Sequence, residues 1–174
     1  MRNNQSQKGF TLLETLIAIM ILTASISGIF TAVQKGLQTA SYARDQVSAF
    51  YLTQEAVEFV RNIRDENLLK SQNWLTGLDT CMSPKKCAID SLTRDICDIS
   101  LSGCDSRIYY NAGTNLSGFK QSSVYVPTNF LRSVQLRPVQ GTSDEVAIVV
   151  SIDWNSVLIQ RNFVVRENLF NLPL

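Results

Sequence analysis

The chain has 174 residues, enough for one domain plus an appendage, and 45% of them are hydrophobic, with much of that apolar content gathered near the N-terminus. A formal net charge of +1 leaves no general basic excess, so a nucleic-acid-binding electrostatic footprint is not supported. The chain contains no histidine, which removes the commonest general base and the commonest zinc ligand and turns the reading away from an enzyme.

Met1 to Gly9 is short and polar, with Arg2 and Lys8 as its only charged side chains. Positive residues ahead of an apolar run hold that end in the cytoplasm, so the C-terminal body is expected outside. The run from Phe10 to Val33 spans roughly 36 Å as a helix, enough to cross a bilayer core of about 30 Å. From Thr15 to Gln34 no residue is charged, and Glu14 is the single charge inside the run. An acid at membrane depth costs on the order of 3 kcal/mol on insertion scales and is a functional hypothesis by default. The run leads into amphipathic sequence with no small-residue A-x-A site, unlike a cleaved secretory signal.

Lys8-Gly9-Phe10-Thr11-Leu12-Leu13-Glu14, followed by Leu16-Ile17-Ala18-Ile19, resembles the class III signal of type IV prepilins and type II secretion pseudopilins. The resemblance covers about the N-terminal fifth of the chain, with glycine, phenylalanine and glutamate all at the family's spacing. It implies that a membrane peptidase cuts after Gly9, and that the same processing peptidase/methyltransferase system N-methylates the new terminus, Phe10. It implies further that Glu14, the fifth mature residue, pairs with the terminal amine of a neighbouring subunit. Burying either charge alone is costly, and pairing them offsets the penalty. Many major pilins carry a proline in the second half of the membrane run, where this chain has Thr31. Thr23, Ser25, Ser27, Gly28 and Gly36 are the weak points of the helix instead, permitting a local kink near Gly28 or close helix packing through small residues.

Helix-compatible sequence continues to Leu69 or Lys70. Ala40, Ala43, Val47, Phe50, Val57 and Val60, with Gln54 filling the gap, form the expected apolar stripe of its second half. Residues 71–106 are rich in Ser, Asp, Cys, Thr and Gly without a sustained period, and read as a long loop with one short helical turn. Four cysteines, Cys81, Cys87, Cys97 and Cys104, fall in this segment. In an exported body they read as two disulfides, and short loops favour Cys81–Cys87 with Cys97–Cys104. A four-thiolate zinc site is the rival, but C-x-x-C knuckles are absent. Lys85-Lys86 reads as a solvated pair, with a DNA or acidic-partner contact as the functional alternative.

The last third is strand sequence. Asn155-Ser156 reads as a two-residue turn, pairing Trp154 with Val157, Ile152 with Ile159, Val150 with Arg161, Ile148 with Phe163 and Val146 with Val165. That apolar face is expected to cover the helix around Val47, Phe50 and Val57. Phe130, Val134 and Leu136 suggest a third strand; Arg107–Tyr110 and Ser123–Val126 are weaker candidates. Trp154 reads as core. The apolar tail Leu169, Phe170, Leu172 and Leu174 reads as a docking or interface segment.

The expected fold is α+β: a long N-terminal helix, membrane-spanning in its first half and amphipathic in its second, packed on a C-terminal antiparallel sheet. The segments are a leader, 1–9; a transmembrane and assembly half-helix, 10–34; an amphipathic half-helix, 35–70; the cysteine loop, 71–106; and the sheet, 107–174. Catalytic, cofactor and metal residues are not expected. The resemblance implies a non-enzymatic filament subunit, with other pilin or pseudopilin subunits, the processing peptidase and cytoplasmic-membrane lipid as partners. It would sit as a single-pass precursor in the cytoplasmic membrane and later in a periplasmic or extracellular filament. The absence of a C-terminal disulfide loop and of a carboxylate cluster for calcium points to a minor subunit. The alternatives are a single-pass, membrane-anchored binding module that does not polymerise, and an exported thiol enzyme, which lacks both a C-x-x-C pair and an activating histidine.

Overall fold

The computed structural model describes residues 9–119, 123–156 and 159–172. The chain divides into two compact units, residues 1–44 and 45–174, the second of which is the head. One helix, α1, runs unbroken from Leu12 to Leu69. Within the first unit its apolar residues are exposed, with Leu12 80%, Leu13 69% and Phe30 65% accessible. Its hydroxyls are satisfied by their own helix: Ser25 donates to Ile21 O, Ser27 to Thr23 O and Thr31 to Ser27 O, each at 2.8 or 2.9 Å. Back-bonding of this kind lets Ser and Thr sit in an apolar run without leaving a donor unpaired. The helix continues through Gly28.

The helix ends in the head by a left-handed cap. Ser71 has φ 54°, and its N–H donates to Leu68 O at 3.0 Å while that of Gln72 donates to Asn67 O at 2.8 Å. This is the paired 5→2 and 6→1 pattern that satisfies the last free carbonyls. Buried Asn67 completes the closure, its amide donating to Thr76 O at 2.9 Å and to Trp74 O at 3.3 Å.

Among the described residues seven antiparallel strands follow: β1 (Cys87–Ile89), β2 (Ile96–Asp98), β3 (Arg107–Asn111), β4 (Leu116–Gly118), β5 (Val126–Pro138), β6 (Glu145–Ser156) and β7 (Ile159–Phe170). The 13-residue β5 organises the sheet. Along one side it pairs with β3 and then with β1, which carry β4 and β2; along the other it pairs with β6, which carries β7. The 71–106 segment is therefore more regular than its composition suggests. It holds a 3₁₀ turn at Asp79–Cys81 and the short β1–β2 ladder. Its apolar residues Cys87, Ala88 and Ile89 are all buried, a pattern too short for sequence periodicity to reveal.

The β6–β7 register differs from the expected one. Asn155 and Ser156 lie in β6, and Val157, the expected partner of Trp154, lies outside the described residues. Trp154 stands opposite Arg161, Ile152 opposite Phe163, Val150 opposite Val165, Ile148 opposite Glu167 and Val146 opposite Leu169. Each residue thus meets a partner four positions later than a turn at Asn155-Ser156 would give. An even displacement keeps every side chain on its expected face, so hydrophobic segregation alone cannot detect it. The observed register uses all 12 residues of each strand. It also buries Leu169 and brings Glu167 to Arg61 of the helix.

The buried helix face is likewise shifted from the expected stripe. Ala49, Thr53, Ala56, Val57, Phe59 and Val60 are buried, whereas Ala40 and Ala43 are exposed and Val47 and Phe50 are 55% and 45% accessible. Small Ala49 and Ala56 allow close approach to the sheet. Thr53 can be buried because its hydroxyl donates to Ala49 O at 2.8 Å. Phe50 instead flanks the core, with its ring edge-on to Phe163, the centroids 6.5 Å apart. Opposite the helix, Val134, Leu136, Ile148, Val150, Ile152 and Trp154 form the sheet side of the core.

Candidate functional site at the helix N-terminus

Gly9, Phe10 and Glu14 lie together at the start of α1, all exposed. The helix begins at Leu12 because Thr11 caps it. Thr11 Oγ1 accepts the N–H of Glu14 at 3.3 Å, and Thr11 C=O accepts the N–H of Thr15 at 3.2 Å. The order Thr-Leu-Leu-Glu is a capping-box pattern. Thr11 is a residue that the resemblance alone did not single out, although this local signal in the sequence could have found it. Glu14 is the acidic residue of the first turn and stands at the positive end of the helix dipole. Gly9 and Phe10 precede the cap and lie outside any regular element.

The cysteines are far from this site in sequence and belong to the head. Cys81 is joined to Cys87 and Cys97 to Cys104, and no cysteine is free among the described residues. The first bond ties the 3₁₀ turn to β1, and the second ties β2 to the segment entering β3. Lys85 lies 3.9 Å from Asp98, while Lys86 is exposed. Asp98 accepts the hydroxyl of Ser100 at 2.6 Å and its amide at 2.9 Å, and these bonds hold its carboxyl below the usual range.

A cleft in the head is lined by Asp90, Asp95, Asp105 and Tyr109 among others. Its buried carboxylate is already committed. Asp90 Oδ1 accepts the amide of Leu92 at 2.8 Å and Oδ2 that of Phe119 at 2.7 Å. Tyr109 donates to Asp105 at 2.9 Å, and that bond to a carboxylate pushes the phenol pKa up. Among the described residues, no three His, Cys, Asp or Glu side chains are grouped to hold a metal ion.

A family model described as the prokaryotic N-terminal methylation motif matches residues 4–30. The match supports a pilin-type family and indicates a type IV pilin-like or pseudopilin precursor. Such a motif implies processing by a prepilin peptidase and assembly with other pilin subunits. No curated protein and no solved structure matches the chain. The 58-residue helix is long and apolar enough to cross a membrane, with a most apolar window of mean hydropathy 2.3. Motif and apolar helix together fit a membrane-anchored precursor.

Proposed function

We propose that the chain is a minor pilin or minor pseudopilin, a structural subunit rather than a catalyst. The precursor is cut after Gly9, Phe10 is N-methylated, and the mature chain enters an envelope filament by packing of its N-terminal helices. The methylation-motif match over residues 4–30, which runs into a capped apolar helix, is the observation that carries this reading. The helix surface supports it as well. Leu16, Met20 and Phe30 are exposed apolar side chains of the first unit, the kind of surface that lipid or another helix covers. Cleavage creates an ammonium at Phe10, and Glu14 of an adjacent copy is the carboxylate that neutralises it, fixing the register between helices.

Intact-mass analysis of membrane and filament fractions tests the reading. A mature chain beginning at methylated Phe10 is expected, and Glu14→Leu should be processed but poorly assembled. Retention of Met1 in cells that contain the peptidase would replace this reading with a single-pass anchored module that does not polymerise. Glu14→Leu assembling as well as wild type would remove the charge pair from the mechanism.

A further inference from the structure

The bond assigned to processing lies between Gly9 and Phe10, and one side chain keeps it outside the helix. An N-cap residue has non-helical backbone, while its carbonyl accepts the first helical hydrogen bond. At present that carbonyl belongs to Thr11, bonded to Thr15 N–H, and the Thr11 hydroxyl secures the boundary through Glu14 N–H. Ahead of it, Gly9 is open, with no atom within 4 Å of where a Cβ would stand, and Phe10 is 81% accessible.

Nothing else in the local sequence stops the helix at this point. Phe10, Leu12 and Leu13 are all compatible with a helix, and no proline is present. Gly9 is itself about as good an N-cap as threonine. Were the helix to grow back to Gly9, the Gly9 carbonyl would accept the Leu13 N–H. Hydrolysis requires that same carbonyl: water adds to it, the bond to Phe10 N breaks, and the leaving nitrogen takes up a proton. The products are a Gly9 carboxylate and a Phe10 ammonium. A carbonyl held in a helical ladder, on a backbone already coiled, is poorly placed for that attack.

We propose that Thr11 is a positioning residue for processing, its hydroxyl ending the helix so that the Gly9 carbonyl remains free for the peptidase. The proposal rests on the processing reading above. The test uses the full-length precursor in lipid nanodiscs with a purified prepilin peptidase, measuring release of residues 1–9 by mass spectrometry. Thr11→Val keeps the shape and removes the acceptor; its kcat/KM should fall on the order of fivefold, in line with loss of an N-cap. Thr11→Ser and Thr11→Asp keep an acceptor and should be cut near the wild-type rate. Backbone carbon chemical shifts should turn helical at Phe10 in Thr11→Val alone. Thr11→Val cut at the wild-type rate overturns the proposal, as does an equal loss in all three variants. Wild-type precursor left uncut overturns the processing reading itself, and the positioning role with it.

Discussion

An arginine buried between helix and sheet offers the sharpest test of how the head grips α1. Arg132 is 1% exposed; its terminal amino groups donate to Leu52 O at 3.1 Å and Ile89 O at 3.0 Å, and Glu55 lies 3.4 Å away. Its Nε has no partner among the described residues. Burial pushes the guanidinium pKa down, and the charge of Glu55 opposes that shift. In Arg132→Lys the charge stays buried, but an ammonium cannot span both carbonyls and the carboxylate, so a loss of about 3–5 kcal/mol is expected. Arg132→Met removes the charge along with its bonds and fills much of the same space. Leu52 O lies within the helix ladder, so the buried Ile89 carbonyl is the acceptor left unpaired, a smaller cost than a misplaced buried charge, and methionine should cost less than lysine. In Glu55→Gln the guanidinium loses its nearest counter-charge. At 3.4 Å and an effective dielectric of about 20 that attraction is roughly 5 kcal/mol. The Glu55 side chain is 32% exposed, so screening and the retained amide oxygen reduce the expected loss to about 1–3 kcal/mol. Denaturant titration of the full-length protein in detergent, followed by the fluorescence of buried Trp74 and Trp154, measures all three variants. Methionine proving more damaging than lysine would refute this account of the arginine as a charge held in place by a fixed fork of partners.

Two further outcomes follow from the head. Gly118→Ala should destabilise it by about 1–3 kcal/mol, because the new Cβ would stand 2.9 Å from both oxygens of Asp90, whose carboxylate is fixed by backbone amides on two segments. An unchanged denaturation midpoint would show that Asp90 can move without loss. Lys70 and Arg94 hold Glu66 by hydrogen bonds and charge, lowering its pKa from 4.5 to about 2. A depressed carboxyl contributes stability that is complete above its unfolded pKa and lost as pH falls through the folded value. The difference in midpoint between wild type and Glu66→Gln should accordingly shrink from pH 4.5 towards pH 2, and a difference constant over that range would contradict the pairing.

Legible in the sequence alone were the N-terminal methylation motif, the long helix and its end at Leu69, and the division into helix followed by sheet. These are local properties: a charge-free run, a helix-compatible stretch and alternating strand residues are written in neighbouring positions. Tertiary structure decided what depends on partners distant in the chain. The β6–β7 register moved by an even number of residues, a change invisible to face segregation and settled by full use of both strands, burial of Leu169 and the contact between Glu167 and Arg61. The buried helix face was chosen by fit, so that Ala49, Thr53 and Ala56 displaced the larger Val47 and Phe50. The β1–β2 ladder inside the apparent loop gained its order from β5 and from disulfides at both ends of the segment. Arg132 carries no local signal within its strand, since only the folded head brings Leu52, Glu55 and Ile89 around it.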